Sequence, residues 1–167
     1  MDIGRISDEY EVRRLGEGDV DEIYALSAGN PLFYRYCPPF VTRESILEDM
    51  AALPPRTTKE DKFYIGFFRE GKLSAIMDLV FGYPDEKTAF LGLFMVRADM
   101  QGRGVGSAVM GDALRFIGEQ GYEKVSLAFA AGNPQSEAFW VKNGFRHTGR
   151  EVCCGEYTAV MMEKVLG

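Results

Sequence analysis

Between Lys62 and Val96 the apolar positions crowd into three runs, "KFYIGFF", "KLSAIMDLVFGY" and "TAFLGLFMV", parted only by "REG" and "PDEK". Aromatic and β-branched side chains are frequent in them, and the gaps have the length of tight antiparallel connections, so the runs predict three consecutive strands in a meander. Upstream, "YEVRRL" (Tyr10 to Leu15) alternates weakly and predicts a first strand. In "GDVDEIYALSAGN" the period lengthens: Val20, Ile23, Tyr24 and Leu26 share a helical face until Asn30-Pro31 stops it. The prolines of "PLFYRYCPPF" preclude a long helix, and Thr42 then stands where it can cap "RESILEDMAAL", with Glu44 in the first turn and Pro54-Pro55 at the end.

Downstream of the meander, Val105, Val109, Ala113 and Phe116 recur at helical spacing, which predicts a helix from about Gly104 to Glu119, closed by Gly121. "KVSLAFA" alternates Val125, Leu127 and Phe129 against Ser126, Ala128 and Ala130 as a fifth strand. Asn133-Pro134 offers a cap and a first-turn proline to the short helix "QSEAFWVKNG". Two last strands are expected at about Phe145 to Val152 and Tyr157 to Val165. The order β-α-α-β-β-β-α-β-α-β-β combines a meander with a strand-helix-strand crossover. It predicts the α/β (α+β) class: a mixed, mostly antiparallel central sheet of six to seven strands with helices on both faces. No repeat, low-complexity tract or long linker divides residues 1–167, so one domain is expected.

Composition narrows the partners. A hydrophobic fraction of 46% with 26% charged residues is ordinary for a globular protein. Nineteen Lys and Arg against 25 Asp and Glu give a net charge of -6, so nothing overall invites nucleic acid. An anionic ligand would need a local basic patch or a helix end, while a cationic partner suits the acidity. Cys37, Cys153 and Cys154 form no C-x-x-C pair and predict reduced thiols in the cytoplasm. With His147 as the single histidine, no metal site is expected. The start "MDIGRISDEYEV" lacks the apolar stretch of a signal peptide, and the longest apolar-plus-Gly run, Ala89 to Val96, is too short to cross a bilayer, so no membrane partner is expected.

The chemistry concentrates in "QGRGVGSAV", Gln101 to Val109, where three glycines alternate at the start of a helix. The first helical N–H groups have no intrahelical partner, the macrodipole adds about half a positive charge there, and glycines admit a phosphate to the backbone. A Walker loop would need a lysine after the last glycine, and Gly106 is followed by Ser107-Ala108. Gly102, Gly104 and Ser107 approach a dinucleotide fingerprint, with Glu123 as the ribose carboxylate; yet "RADMQ" parts strand from glycine, and a meander precedes it. A glycine turn without ligand is the plain alternative.

"VRADMQGRGVGSAVM", Val96 to Met110, resembles the acyl-CoA pyrophosphate loop of the GNAT superfamily of N-acetyltransferases, [QR]-x-x-G-x-[GA], with Gln101, Gly104 and Gly106 at the defining positions. "LAFAAGNPQSEAFWVKNGF" resembles that family's fifth strand, Asn-containing bend and "FYxKxGF" helix. The resemblance implies that the backbone of Phe94, Met95 and Val96 pairs with the pantetheine arm of acetyl-CoA. The amides of Gln101, Gly102, Arg103, Gly104, Val105, Gly106 and Ser107 would cradle the pyrophosphate. Asn133, Ser136 and Phe139 would line the pantetheine, and Arg103 and Lys142 the 3′-phosphate end. Without a ligand, Asn133 is equally a helix cap, Phe139 a core residue and Arg103 a solvated cation.

Acyl transfer to an amine needs two proton transfers. A lysine-like amine is roughly one part in 2,500 neutral at pH 7, so a base or desolvating pocket must supply about 4–5 kcal/mol. The family's tyrosine acid falls at Trp140, whose indole N–H is no usable acid. Tyr157 and Tyr83 are substitutes, or the thiolate, with a pKa of about 8.5, leaves unassisted. Asp78, the one carboxylate inside "SAIMDLVF", suits a general base, although it could equally face solvent. His147 reads as structural, Cys153-Cys154 lack the support a nucleophile needs, and the aromatics Phe33 to Phe40 either grip a cationic amine or pack. The expectation is an acetyl-CoA-dependent N-acetyltransferase acting on a primary amine of a small molecule or peptide, by direct attack in a ternary complex. A non-catalytic acyl-CoA-binding or sensor domain is the alternative, and the family implies a possible homodimer.

Overall fold

The computed structural model describes all 167 residues. Seven strands form one sheet: β1 (Glu11–Arg14), β2 (Lys62–Arg69), β3 (Lys72–Phe81), β4 (Thr88–Val96), β5 (Lys124–Ala130), β6 (Arg146–Cys153) and β7 (Thr158–Val165). Their spatial order is β1-β2-β3-β4-β5-β7-β6, and every neighbouring pair is antiparallel except β4 with β5. The β2–β3 hairpin turns on Glu70-Gly71, both at positive φ (52° and 76°), the backbone that a two-residue hairpin demands.

Three helices join β1 to β2, α1 (Val20–Ala28), α2 (Pro31–Tyr36) and α3 (Arg43–Ala51), where the sequence pattern predicts two. The extra one follows from Pro31, which stops α1 and then opens α2 at a first-turn position that needs no N–H. Thr42 caps α3 as its position predicts, its side chain accepting from the Ser45 amide at 3.0 Å. The long helix α4 (Val105–Glu119) links β4 to β5, and α5 (Pro134–Lys142) links β5 to β6.

The sheet is covered on both faces. Val109, Met110, Ala113, Phe116 and Ile117 of α4, with Trp140 of α5, pack on Met77, Leu79, Leu91 and Leu127. Val20, Ile23 and Leu26 of α1 and Ile46 of α3 pack on Tyr64, Ile76 and Met95 of the other face. A bulge shifts the register of β4 against β3: Leu79 faces Leu91 but Asp78 faces Leu93, leaving Gly92 as the extra residue. Side-chain parity therefore flips there, so Leu91 belongs to the α4 core while Met95 belongs to the α1 core. Parallel pairing with β5 ends at the same place, running only from Thr88 with Lys124 to Leu91 with Leu127. Beyond it β5 stays with β7 through Ala130, and the two central strands part into a wedge.

Candidate active site

The glycine loop closes one end of this wedge. Gly102 and Gly104 lie in the left-handed region at φ 74° and 79°, where a side chain is strained. Gly106 serves a different purpose: a Cβ there would stand 3.2 Å from the Phe139 ring, so glycine lets α4 and α5 approach without displacing that ring. The Gln101 amide donates to Ala98 O at 3.3 Å and the Ala108 amide to Gly104 O at 3.0 Å. Between them the amides of Gly102, Arg103, Gly104, Val105, Gly106 and Ser107 donate to no carbonyl of the chain. Consecutive free N–H groups at the start of a fifteen-residue helix form a concentrated anion receptor.

Gln101 enters differently from its expected place in the amide cradle, because its own N–H is already used. Its side chain donates to Val96 O at 2.8 Å and also meets Asn30, whose Nδ2 donates to Leu26 O (3.0 Å) and Val96 O (3.2 Å). The loop is thereby tied to the end of β4 and to α1. The same bonds occupy the carbonyl of Val96, and the register that joins Arg97 N–H to Ser74 O turns the backbone of Met95 toward Ile76 of β3, so of the expected pantetheine partners Phe94 keeps the freer backbone.

Along the wedge, Phe94 stacks on Phe139 with centroids 5.8 Å apart and planes at 19°. Asn133 is buried and caps α5, its Oδ1 accepting from the Ser136 amide at 3.3 Å. That cap uses only the oxygen and leaves Nδ2 as a donor. Ser136 is half-buried beside it, while Ser107 accepts from Asn143 Nδ2, just past α5, at 3.3 Å. These expected cofactor residues lie on the loop, the end of β4 and the first turns of α5, where the Phe94–Phe139 stack and the Gly106–Phe139 approach join the three elements. Arg103 and Lys142 stand exposed. Trp140 is buried against Phe94, Phe139 and Phe145, centroids 6.2, 4.9 and 5.2 Å away, so the indole holds β4 and α5 together.

At the β4 bulge lies Asp78, 9% exposed, on the sheet face that carries α3. A Cβ at Gly92 would sit 3.0 Å from its Oδ2, which places the carboxylate over the bulge where the strands part. Oδ2 accepts from Lys62 Nζ at 3.0 Å, and Nζ also donates to Asp49 O (2.6 Å) and Ala52 O (2.7 Å) at the end of α3. Oδ1 is buried without any partner. Burial pushes the Asp78 carboxyl up from the ordinary carboxylate range, Lys62 opposes that shift, and the charge of Asp49 adds to it. A cleft of about 220 Å³ opens on the pair between Ala52, Leu53, Pro54, Val80, Phe90 and Gly92. Sequence reading singles out Asp78 but misses Lys62, which faces Val80 while Tyr64 faces Asp78. The one available signal is a charge at the head of an apolar strand.

The other candidates lie apart from this cleft. Tyr157 is half-buried, its phenol raised above the ordinary range by burial and by the nearby Cys37 thiol, and it is not among the residues around Asp78. Tyr83 reaches the cleft only through Phe90, edge-to-face at 5.4 Å. His147 pairs with Glu137 at 2.9 Å on the surface. Cys153 and Cys154 are exposed, and neither is hydrogen-bonded to His147, which is held by Glu137. Phe33, Tyr34 and Phe40 pack edge-to-face on one another at 4.9 and 5.3 Å. No three His, Cys, Asp or Glu side chains are grouped to hold a metal ion, and no helix is long and apolar enough to cross a membrane.

The sequence model of the acetyltransferase (GNAT) family matches residues 29–145, well over half of the chain. The chain belongs to the GNAT acetyltransferase family. No curated protein sequence matches it. Among solved structures, the fold is similar to an acetyltransferase from Thermus thermophilus, with a TM-score of 0.72 and 22% identity over 94% of this chain and 97% of that one. A PaiA N-acetyltransferase from Thermoplasma acidophilum, in complex with coenzyme A, is similar at TM-score 0.68 and 17% identity, covering 93% and 98%. The ribosomal-protein-S18-alanine N-acetyltransferase from Escherichia coli follows at 0.67 and 15%, covering 95% and 94%. The GNAT resemblance read in the sequence rests on the glycine loop, and Trp140 stands where that resemblance expects a tyrosine.

Proposed function

We propose that the protein transfers the acetyl group of acetyl-CoA to a primary amine, with Asp78 as general base. The observation that carries this reading is the row of unpaired amides from Gly102 to Ser107 beside the open edge of β4. Those donors suit a diphosphate, and an arm running from them along Phe94 and Met95 ends at Gly92, beneath the Asp78 carboxylate. The CoA-bound similar structure supports the cofactor. Bound there, acetyl-CoA supplies an activated acyl carbon and a thiolate leaving group.

The chain's own residues handle the amine. Asp78 lines the cleft, its carboxylate receives an N–H of the incoming ammonium, and Lys62 holds Oδ2 in place. The carboxylate then takes the proton, which frees the nitrogen lone pair to attack directly in the ternary complex. A carboxyl raised by burial holds that proton better than an exposed one would, which narrows the gap to the amine. Release of a thiolate with a pKa of about 8.5 asks less of an acid than expulsion of an amine does, so the loss of the usual tyrosine at Trp140 is tolerable.

Calorimetry with acetyl-CoA, followed by thiol release in the presence of grouped amines, tests the reading. Saturable binding and amine-dependent release are expected. Binding without release for any amine would demote the protein to a binding module, and no binding would end the case for acyl transfer.

A further inference from the structure

The cleft over Asp78 restricts the acceptor beyond its being an amine. Apart from Lys62 and Asp78 it is lined by Ala52, Leu53, Pro54, Val80, Phe90 and Gly92, none with a polar side chain. Lys62 has three protons to donate, and Asp49 O, Ala52 O and Asp78 Oδ2 take them all. No cationic donor is left to meet a ligand carboxylate. The remaining charges point the same way, since Asp78 and Asp49 outnumber Lys62 and the carbonyl end of α3 faces the cleft. The unpartnered group is Asp78 Oδ1, an acceptor buried with its residue 9% exposed. It calls for an N–H donor, and a cationic one restores the charge balance.

Size sets the arm. A cavity of about 150 Å³ lined by apolar side chains takes a benzene ring. The cleft of about 220 Å³ therefore has room for a ring with a short linker or an alkyl chain of similar bulk, and Phe90, backed by Tyr83, gives it an aromatic wall. We infer that the acceptor is a primary amine on an uncharged apolar arm, an alkyl- or arylalkylamine with no carboxylate on the carbon that bears the nitrogen. The inference rests on the proposed acetyl transfer and names the substrate class of that site.

Matched pairs decide it: 2-phenylethylamine against phenylalanine, and pentylamine against 2-aminohexanoic acid, each pair differing by one carboxylate. With acetyl-CoA, the kcat/KM for each amine should exceed that of its amino acid by at least about thirtyfold. Equal or reversed values would overturn the inference while leaving acetyl transfer intact. The variant L53R, at an exposed position on the lip of the cleft, adds a free cation. It should shrink the preference at least tenfold with acetyl-CoA affinity unchanged, and an undiminished preference would count against the cleft. If no compound is turned over, calorimetry of the same pairs on the protein, with and without CoA, still judges the cleft. Binding of the amines alone supports it, and binding of the amino acids, or of neither, refutes it. Failure to bind acetyl-CoA would strike the proposed reaction instead.

Discussion

Asp78 joins two properties that normally exclude each other, burial in an apolar strand and a carboxylate oxygen with nothing to bond. Its raised carboxyl makes two pH trends. Because the folded value lies above the unfolded one, the stability due to this group is complete below an ordinary carboxylate pKa of about 3.9 and is lost as pH rises through the folded value. Activity runs the opposite way, since a base must be ionised: the acid limb of the kcat/KM profile should lie above the ordinary carboxylate range. Asp78→Asn should keep acetyl-CoA affinity, lower kcat by about 10² to 10⁴ and remove that limb from a pH–rate profile measured over the range where the parent is folded. A limb that persists in the variant would assign it to another group. Asp78 is legible in the sequence because a charge in an apolar run is a local anomaly. Lys62 is not, since sixteen positions separate it from Asp78. Their diagonal pairing depends on a register broken by a bulge between Phe67 and Phe68, which no composition reveals.

Among the elements, α3 and β3 are joined through one ammonium. Lys62→Met would strip the carbonyls of Asp49 and Ala52 as well as Asp78, and breaking such a buried pair typically costs about 3–5 kcal/mol. Urea denaturation should show a loss of that order, and the double variant K62M/D78L should recover a substantial part of it. The junction of β4 with α4 fails differently. Gly104→Val would place a β-branched residue at φ 79°, costing about 1–2 kcal/mol and turning the loop amides aside. Calorimetry should register at least a tenfold weaker affinity for acetyl-CoA, whereas Gly111→Ala, on the exposed side of α4, should leave it unchanged. Most element boundaries were legible because strands, caps and turn residues are written locally. An open end of β4 was expected only through the family resemblance, which pairs Phe94 to Val96 with the pantetheine arm. Gly92 inside "FLGLF" was the unused signal for the bulge that accompanies it.

For the molecule as a whole, two cores on opposite faces of one sheet meet at β4, which changes face at Gly92. A ligand spanning the wedge touches both, so its binding energy should appear as global stability. At about a hundred times its dissociation constant, acetyl-CoA should add about 2.7 kcal/mol, which for a chain of this size raises Tm by roughly 5–11 °C. A calorimetric scan would check this, and a nicotinamide dinucleotide at the same concentration should leave Tm where it was. The net charge of -6 belongs to this scale too, because it leaves the loop amides as the concentrated local attraction for an anion.

The central claim is that free backbone donors opening α4 hold the diphosphate of coenzyme A. Amide ¹⁵N–¹H spectra recorded during titration with coenzyme A test it residue by residue. The largest shifts should fall on Gly102 to Ser107, with a second set at Phe94 and Met95, and pantetheine alone should move only the second set. Shifts centred elsewhere, or a loop that stays silent at saturation, would contradict the account.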